Sequence, residues 1–180
     1  MMNLFVQHLG NQYAALNNLL KAAHSGDICL EGNVVIRRGN VMSKMLCHIL
    51  GFPAEGVNVV LKVIGHHDAD RMLWKRDFAG IKLVSEFIRE NDYLIERMGP
   101  IQLCLKLFVN DGELHYQLIK AKFLGLPIPS ALSPKLTAWE KEQQGRYNFL
   151  VDVALPAMGR LISYEGMLSL VTSQHKNFDS

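Results

Sequence analysis

The stretch 57-VNVVLKV-63 decides the fold, because most of its apolar side chains fall two residues apart. Val57, Val59, Leu61 and Val63 form one apolar series. A period of two is typical of a half-buried β-strand, whose successive side chains point to opposite faces. The same period returns in most of the segments that follow. Short turns separate those segments, so the strands are predicted to be antiparallel neighbours.

The turns between these predicted strands have clear signatures. Asn91-Asp92 and Asn110-Asp111-Gly112 separate apolar series, and the second is a strong hairpin signal. Residues 125–134, GLPIPSALSP, contain three prolines, which lack the amide donor that a central strand needs. We predict a loop there, with one helical turn. Residues 136–144 are polar and charged, which predicts a short surface helix or more loop.

Two amphipathic helices and a strand are predicted before residue 57. Leu9, Tyr13, Leu16 and Leu20 share one face of the first helix. The strand covers residues 28–38. Asn40 or Ser43 caps the second helix, and Gly51 ends it. The apolar stripe of the second helix consists of Met42, Met45, Leu46, Ile49 and Leu50.

Together these elements predict an α+β fold. A strongly curved antiparallel meander of about seven or eight strands would pack on one or two N-terminal helices, like a helix-grip or half-barrel. Within a single domain, residues 1–56 form a helix-strand-helix cover, residues 57–172 the sheet and residues 173–180 a flexible tail. The exposed edge strands of such an open sheet make a homodimer an option.

Composition and charge argue against several classes of protein. The formal net charge of +2 is too small to indicate a nucleic-acid or membrane partner. No apolar run of about eighteen residues is present, so no transmembrane segment is expected, and the N-terminus is a poor signal peptide. Cys29, Cys47 and Cys104 lie far apart among apolar neighbours. That pattern favours reduced, buried thiols and a cytoplasmic protein.

Several short motifs together resemble a bacterial family catalogued as a domain of unknown function (family 4166). The likeness runs from about residue 28 to residue 170. The motifs are Gly32 with Arg37, Arg38 and Gly39; Trp74, Arg76 and Phe78; Glu96, Arg97, Gly99 and Pro100; Gly125, Leu126, Pro127 and Pro129; Gly145, Arg146, Tyr147 and Phe149; and Tyr164 with Gly166.

What the resemblance implies about chemistry is limited, because the family has no established activity. Its members occur alone or attached to a reductase-like dinucleotide-binding domain or a membrane protein. The resemblance therefore implies a reductase-like protein as a partner. This chain has no G-x-G-x-x-G sequence, so no dinucleotide and no other cofactor is expected.

Glu96 is the most informative charged residue, because it interrupts an apolar strand just before Gly99-Pro100. A lone buried carboxylate is costly, so Glu96 must pair or take up a proton. Arg76 and Arg146 are the candidate partners. The structural interpretation, which we favour, is an ion pair that fixes the register of two strands. The functional one is a general acid or base, or a polar anchor in a cavity.

The pattern of polar residues set singly among aromatics favours a binding protein, since no nucleophile motif accompanies it. We expect an apolar or lipid-like small molecule between the sheet and a helix. One alternative is an enzyme in which Glu96, with Arg76 or His115, performs acid–base chemistry; another is a non-catalytic interaction domain that serves a reductase-like partner. The predicted ligand-binding residues are Trp74, Arg76, Phe78, Glu96, Tyr116, Arg146, Phe149 and Tyr164.

Two further clusters of polar residues have both a structural and a functional interpretation. His66, His67, Asp68 and Asp70 are potential metal ligands, but adjacent histidines on a strand point to opposite faces, so no metal site is expected. Residues 37–38, two arginines, could bind an anion near the second helix's N-terminus. More often such a pair faces solvent and an acidic neighbour.

Overall fold

The strands form one closed antiparallel sheet in the computed structural model, which describes residues 3–171. Within those residues, ten strands complete a barrel and a short eleventh lies at one edge. The strands are β1 (Gly26–Arg38), β2 (Gly56–His67), β3 (Arg71–Phe78), β4 (Ile81–Glu90), β5 (Tyr93–Met98), β6 (Ile101–Asn110), β7 (Glu113–Phe123), β8 (Leu126–Pro127), β9 (Lys135–Gln143), β10 (Arg146–Leu155) and β11 (Gly159–Val171).

The predicted curvature and antiparallel pairing are present, but the prediction of an open half-barrel with seven or eight strands is wrong. The sheet closes because β11 pairs with β1 along most of its length. The strand predicted at 28–38 is β1, and it lies between β2 and β11. Of the open edges on which the option of a homodimer depended, closure leaves only short ones, at β8 and along the incompletely paired part of β7 and β9. The tail predicted at 173–180 lies outside the described residues.

The largest error in the predicted elements is at β9, where a surface helix or loop was expected. This strand pairs with β10 along its whole length and with β7 over Leu114–Tyr116. Polar residues dominate β9, but Leu136, Ala138 and Glu140 alternate with outer residues and line the interior. The alternation of apolar and polar residues typical of a strand could not be seen in the sequence of β9, because the carboxylate of Glu140 occupies one of the inward positions.

One ladder of the barrel is much shorter than its neighbours. Only Leu114–Tyr116 of β7 pairs with β9, whereas β6 pairs with β7 along the whole of Ile101–Asn110. Further along β7, residues Lys122 and Phe123 pair with β8 instead. We call the junction of β7 and β9 the seam.

The predicted first helix is broken into three pieces, which close one end of the barrel. They are α1 (Leu4–Leu9), a 3-10 helix (Gly10–Ala15) and α2 (Asn18–Ala23). The amide of Leu4 donates to the carbonyl oxygen of Asp68 at 2.9 Å, and the amide of Asn17 donates to that of Gly112 at 3.1 Å. Both acceptors lie in turns at the same end. We call this end the plugged pole.

Helix α3 (Val41–Ile49) lies at the opposite end, where Asn40 caps it as predicted: the Asn40 Oδ1 atom accepts from the amide of Ser43 at 3.0 Å. The buried residues Ser43 and Cys47 bind the carbonyl oxygens of Arg160 and Leu161 on β11. The predicted apolar stripe was expected to cover the sheet. That expectation is wrong for Met42, Met45 and Ile49, which are exposed by 59, 60 and 70 % respectively.

The proline-rich segment lies at the same end as α3. It contains β8 and one 3-10 turn over Ser130–Leu132, so the prediction of a loop with a helical turn is confirmed. Leu46 of α3 and Leu126 of β8 both border the interior cavity. We call this end the mouth.

Candidate functional site

The interior of the barrel is a cavity of about 590 Å³ that extends between the two poles. His24 and Trp74 border it at the plugged pole, and Phe52 and Leu132 border it at the mouth. Its walls come from the inward positions of the alternating strands, so most of them are apolar. A few polar side chains interrupt this surface, and they form two networks.

The first network joins β3, β4 and β5 through Arg76, Ser85 and Glu96. Arg76 Nη1 donates to the hydroxyl of Ser85 at 2.7 Å, and this hydroxyl donates to Glu96 Oε1 at 2.6 Å. Arg76 Nη2 lies 3.7 Å from the same carboxylate oxygen. Glu96 thus pairs with Arg76 and not with Arg146, and Ser85 completes the contact. The network cross-links three neighbouring strands from inside the barrel.

Nearby charges and burial shift the pKa of Arg76 in opposite directions. Burial lowers the pKa of the guanidinium, but Tyr164 and Glu96 raise it, and the net shift is upward. The guanidinium carbon also lies 5.4 Å from the centre of the Trp74 ring, a cation–π contact. Arg76 therefore stays charged inside a largely apolar cavity, and Glu96 is the nearby anion that balances it.

The second network surrounds the carboxylate of Glu140. His24 Nε2 lies 2.6 Å from Glu140 Oε2, and the Tyr116 hydroxyl donates to Glu140 Oε1 at 2.6 Å. Tyr147 is a further hydrogen-bond partner. Burial raises the pKa of Glu140, but the charge and hydrogen bond of His24 and the two tyrosine hydroxyls lower it more. Glu140 is therefore ionised, and burial beside it raises the pKa of Tyr116 and Tyr147 well above the usual value.

Stacked and hydrogen-bonded rings connect His24 of this network to His67, beside the turn between β2 and β3 at the plugged pole. The His24 ring lies between Phe5, at 4.0 Å between ring centres, and Trp74, at 5.2 Å. Trp74 Nε1 donates to His67 Nε2 at 3.0 Å, so His67 Nδ1 carries the proton that it donates to the carbonyl oxygen of Gly26 at 2.8 Å. Burial, with the charge of His24, lowers the pKa of His67 to about 4. His67 is thus a neutral structural link.

The structure brings together six of the eight predicted ligand-binding residues. Arg146 lies elsewhere, because it is exposed and its Nη2 donates to the carbonyl oxygen of Met167. Phe78 faces inward on β3 but does not border the cavity, because it is buried among other side chains, where its ring packs edge-on against Tyr164 at 5.4 Å between ring centres. The six residues that border the cavity are Trp74, Arg76, Glu96, Tyr116, Phe149 and Tyr164.

Sequence reasoning missed His24, Ser85, Glu140 and the hydroxyl of Tyr147 as parts of the site. Of these, only Tyr147 was named, as part of the motif Gly145–Phe149. Glu140 could have been found, since it continues the two-residue series of Leu136 and Ala138. His24 has no such signal, because it lies just after α2 and reaches Glu140 only in the folded barrel.

The other charged candidates lie outside the cavity. His115 stacks on Phe108 at 5.2 Å and lies 3.6 Å from Glu113, and it does not border the cavity that Glu96 borders. Arg37 pairs with Glu165, and Arg38 donates to the carbonyl oxygens of Phe52 and Pro53. These two arginines thus face protein partners.

The histidine, aspartate and cysteine side chains singled out in the sequence form no metal site in the part of the chain that the structure describes. His66 Nδ1 lies 2.7 Å from the carboxylate of Asp27. Residues 3–171 contain no cluster of three or more metal-ligating side chains. Cys29, Cys47 and Cys104 are free thiols, of which only Cys47 is fully buried.

Comparison with known proteins places the chain in a family. In the described part of the chain, every helix is too short or too polar to cross a membrane. No curated protein and no solved structure matches the sequence significantly. A family model described as Domain of unknown function (DUF4166) matches residues 16–168. The resemblance that the motifs indicated is confirmed: the chain belongs to the DUF4166 family.

Proposed function

We propose that the barrel binds one apolar, lipid-like small molecule in its interior cavity. The observation that carries this proposal is the cavity itself, with about 590 Å³ of space and mainly apolar walls. Ligand cavities of proteins usually measure about 300–1,000 Å³ and combine such walls with a few polar groups. A packed core of this size would instead be filled by its own side chains.

The polar networks favour a ligand with a neutral polar group. Arg76 is already matched by Glu96, and Glu140 adds a second buried carboxylate. A carboxylate or phosphate head would therefore add an unbalanced negative charge, because Arg76 and His24 are already paired with Glu96 and Glu140. A hydroxyl or carbonyl group could bond to Arg76 or Tyr164 without bringing in an unbalanced charge.

Binding can be tested on the purified full chain in two steps. Native mass spectrometry and solvent extraction would detect a molecule that co-purifies. Titration with Nile red, a neutral apolar dye, would then measure binding to emptied protein through the rise in dye fluorescence. We expect one dye per chain, with a dissociation constant on the order of micromolar.

A matched pair of variants locates the dye. Ala138→Phe adds a ring at an inward position of β9, whereas Thr137→Phe adds the same ring at the exposed position next to it. We expect Ala138→Phe to weaken dye binding roughly tenfold or more, and Thr137→Phe to leave it unchanged. Equal binding by the two variants, or absence of both dye binding and a co-purified molecule, would contradict the proposal.

A further inference from the structure

An apolar rim surrounds the mouth of the barrel. On α3, the exposed side chains Val41, Met42, Met45 and Ile49 follow one another along the outer side of the helix. Across the mouth, the proline-rich segment and the residue just before it expose further large apolar side chains. They are Leu124 and Leu126, both 72 % exposed, and Leu132, 62 % exposed. Exposed apolar groups clustered at one site, unlike scattered ones, indicate an interaction surface.

Basic side chains accompany this rim. Lys120 and Lys122 near the end of β7 and Lys135 at the start of β9 are exposed. None of them forms a salt bridge with another described residue. Of the acidic side chains at this end, Glu55 and Asp152 are already paired with Lys44 and Arg160, and Asp77 accepts from the amide of Gly80 in its own turn. The mouth thus presents unpaired positive charge beside apolar side chains.

The plugged pole has the opposite character. Its turns and strand ends carry carboxylates, and the buried residues of α1 and α2 face inward rather than outward. The small net charge of +2 therefore conceals a difference between the two ends of the barrel. The acidic residues at the plugged end are Asp27, Asp68, Asp70, Glu90, Asp92, Asp111 and Glu113, and they outnumber the basic residues there, Lys21, Arg71, Arg89 and Arg146.

We propose that the mouth docks on a bilayer that contains anionic phospholipid. The apolar rim would enter the boundary between headgroups and acyl chains, and Lys120, Lys122 and Lys135 would lie against the lipid phosphates. The acidic pole would then point away from the negative surface, which sets the orientation of the barrel. An apolar molecule could pass between the bilayer and the cavity without crossing water.

The test measures binding of the full chain to sedimented vesicles of phosphatidylcholine, with or without phosphatidylglycerol. We expect binding to the vesicles with phosphatidylglycerol and its loss at high salt. The double variant Lys122→Gln/Lys135→Gln should weaken that binding roughly 30-fold. The double variant Met45→Gln/Ile49→Gln should weaken binding to those vesicles at least about tenfold.

Matched controls lie on the barrel wall away from the mouth. Lys106→Gln removes an exposed charge on β6, and Val84→Thr removes an exposed apolar group on β4, and both should bind vesicles as the unmodified chain does. The proposal is overturned if the chain does not sediment with either vesicle, or if the mouth variants bind as the controls do. It is also overturned if light scattering shows a dimer that Met45→Gln/Ile49→Gln dissociates, because a second copy would then cover the rim.

Discussion

His24 Nε2 and Glu140 Oε2 lie 2.6 Å apart, although 116 positions separate the two residues in the chain. His24 belongs to the helical segment at the plugged pole, and Glu140 to the strand that completes the barrel. Both residues are more than nine-tenths buried. The contact therefore joins the helical segment to the barrel wall at the plugged pole.

Replacing Glu140 should destabilise the protein strongly. In Glu140→Gln the amide cannot serve His24, Tyr116 and Tyr147 as the carboxylate does, so we expect a loss of about 3 kcal/mol in the free energy of unfolding. Urea denaturation measures it. Glu31→Gln breaks the exposed ion pair with Lys62 and should cost less than about 1 kcal/mol. Equal effects of the two substitutions would show that the buried network contributes little.

The pair of Arg76 and Glu96 should behave as a unit. Glu96→Leu leaves the buried guanidinium without its anion, and Arg76→Met leaves the carboxylate without its cation, so each should cost about 3 kcal/mol. The double variant leaves neither charge and should be more stable than either single variant. A double-mutant cycle from urea denaturation measures the coupling. Additive losses would mean that the two charges act independently.

Acid should destabilise the fold through His67. The folded protein keeps this ring neutral down to about pH 4, whereas the unfolded chain takes up the proton near pH 6.5. The unfolded state thus binds more protons between these values, and the free energy of unfolding falls as the pH falls, by about 3 kcal/mol in total. Thermal melts between pH 7 and pH 4 measure this slope.

A glutamine at position 67 provides the control for the acid effect. Its amide can still accept from Trp74 and donate to the carbonyl oxygen of Gly26, but it does not titrate. We expect His67→Gln to lose most of the pH dependence above about 4.5, below which Glu140, with its lowered pKa, contributes a loss of its own. A smaller slope remains from His8, because burial lowers the pKa of that ring too. An unchanged slope in His67→Gln would assign the acid effect to other groups.

Gly166 should not tolerate a side chain. A Cβ atom there would lie 2.5 Å from the carbonyl oxygen of Asn33 and 2.7 Å from a methyl group of Val34, both on β1. We expect Gly166→Ala to cost about 1–3 kcal/mol in urea denaturation, because the β1–β11 ladder must shift. Gly56→Ala meets only a Val59 methyl group and should cost less. If Gly166→Ala left the free energy of unfolding unchanged, close packing against β1 would not explain the glycine of the motif Tyr164 with Gly166.

Local patterns in the sequence were enough to predict most of the wall. The Asn110-Asp111-Gly112 hairpin forms with Asp111 and Gly112 at positive φ, and Gly99-Pro100 makes the turn between β5 and β6. The inward series of β3 places Trp74, Arg76 and Phe78 on one face as the two-residue period requires. Such features depend on neighbours in the chain, so the sequence reports them directly.

The closing of the barrel and the second polar network depend on residues far apart in the chain. Whether a meander of strands closes is set by the tilt and stagger of all its strands, and no short stretch of sequence shows these. Glu140 looks like a surface residue until Tyr116, Tyr147 and His24 surround it. The apolar stripe of α3 was wrongly expected to cover the sheet. An amphipathic pattern predicts a helix with an apolar side, but it does not say what that side contacts.

The short seam between β7 and β9 has a consequence for how the barrel moves. A ladder of three residue pairs opens at a lower free energy than one that runs the length of a strand. Backbone amides over Leu114–Tyr116 and their partners on β9 should therefore exchange with deuterium earlier than those of β1 and β11. We therefore expect the wall to part first at the seam, while the other ladders stay paired.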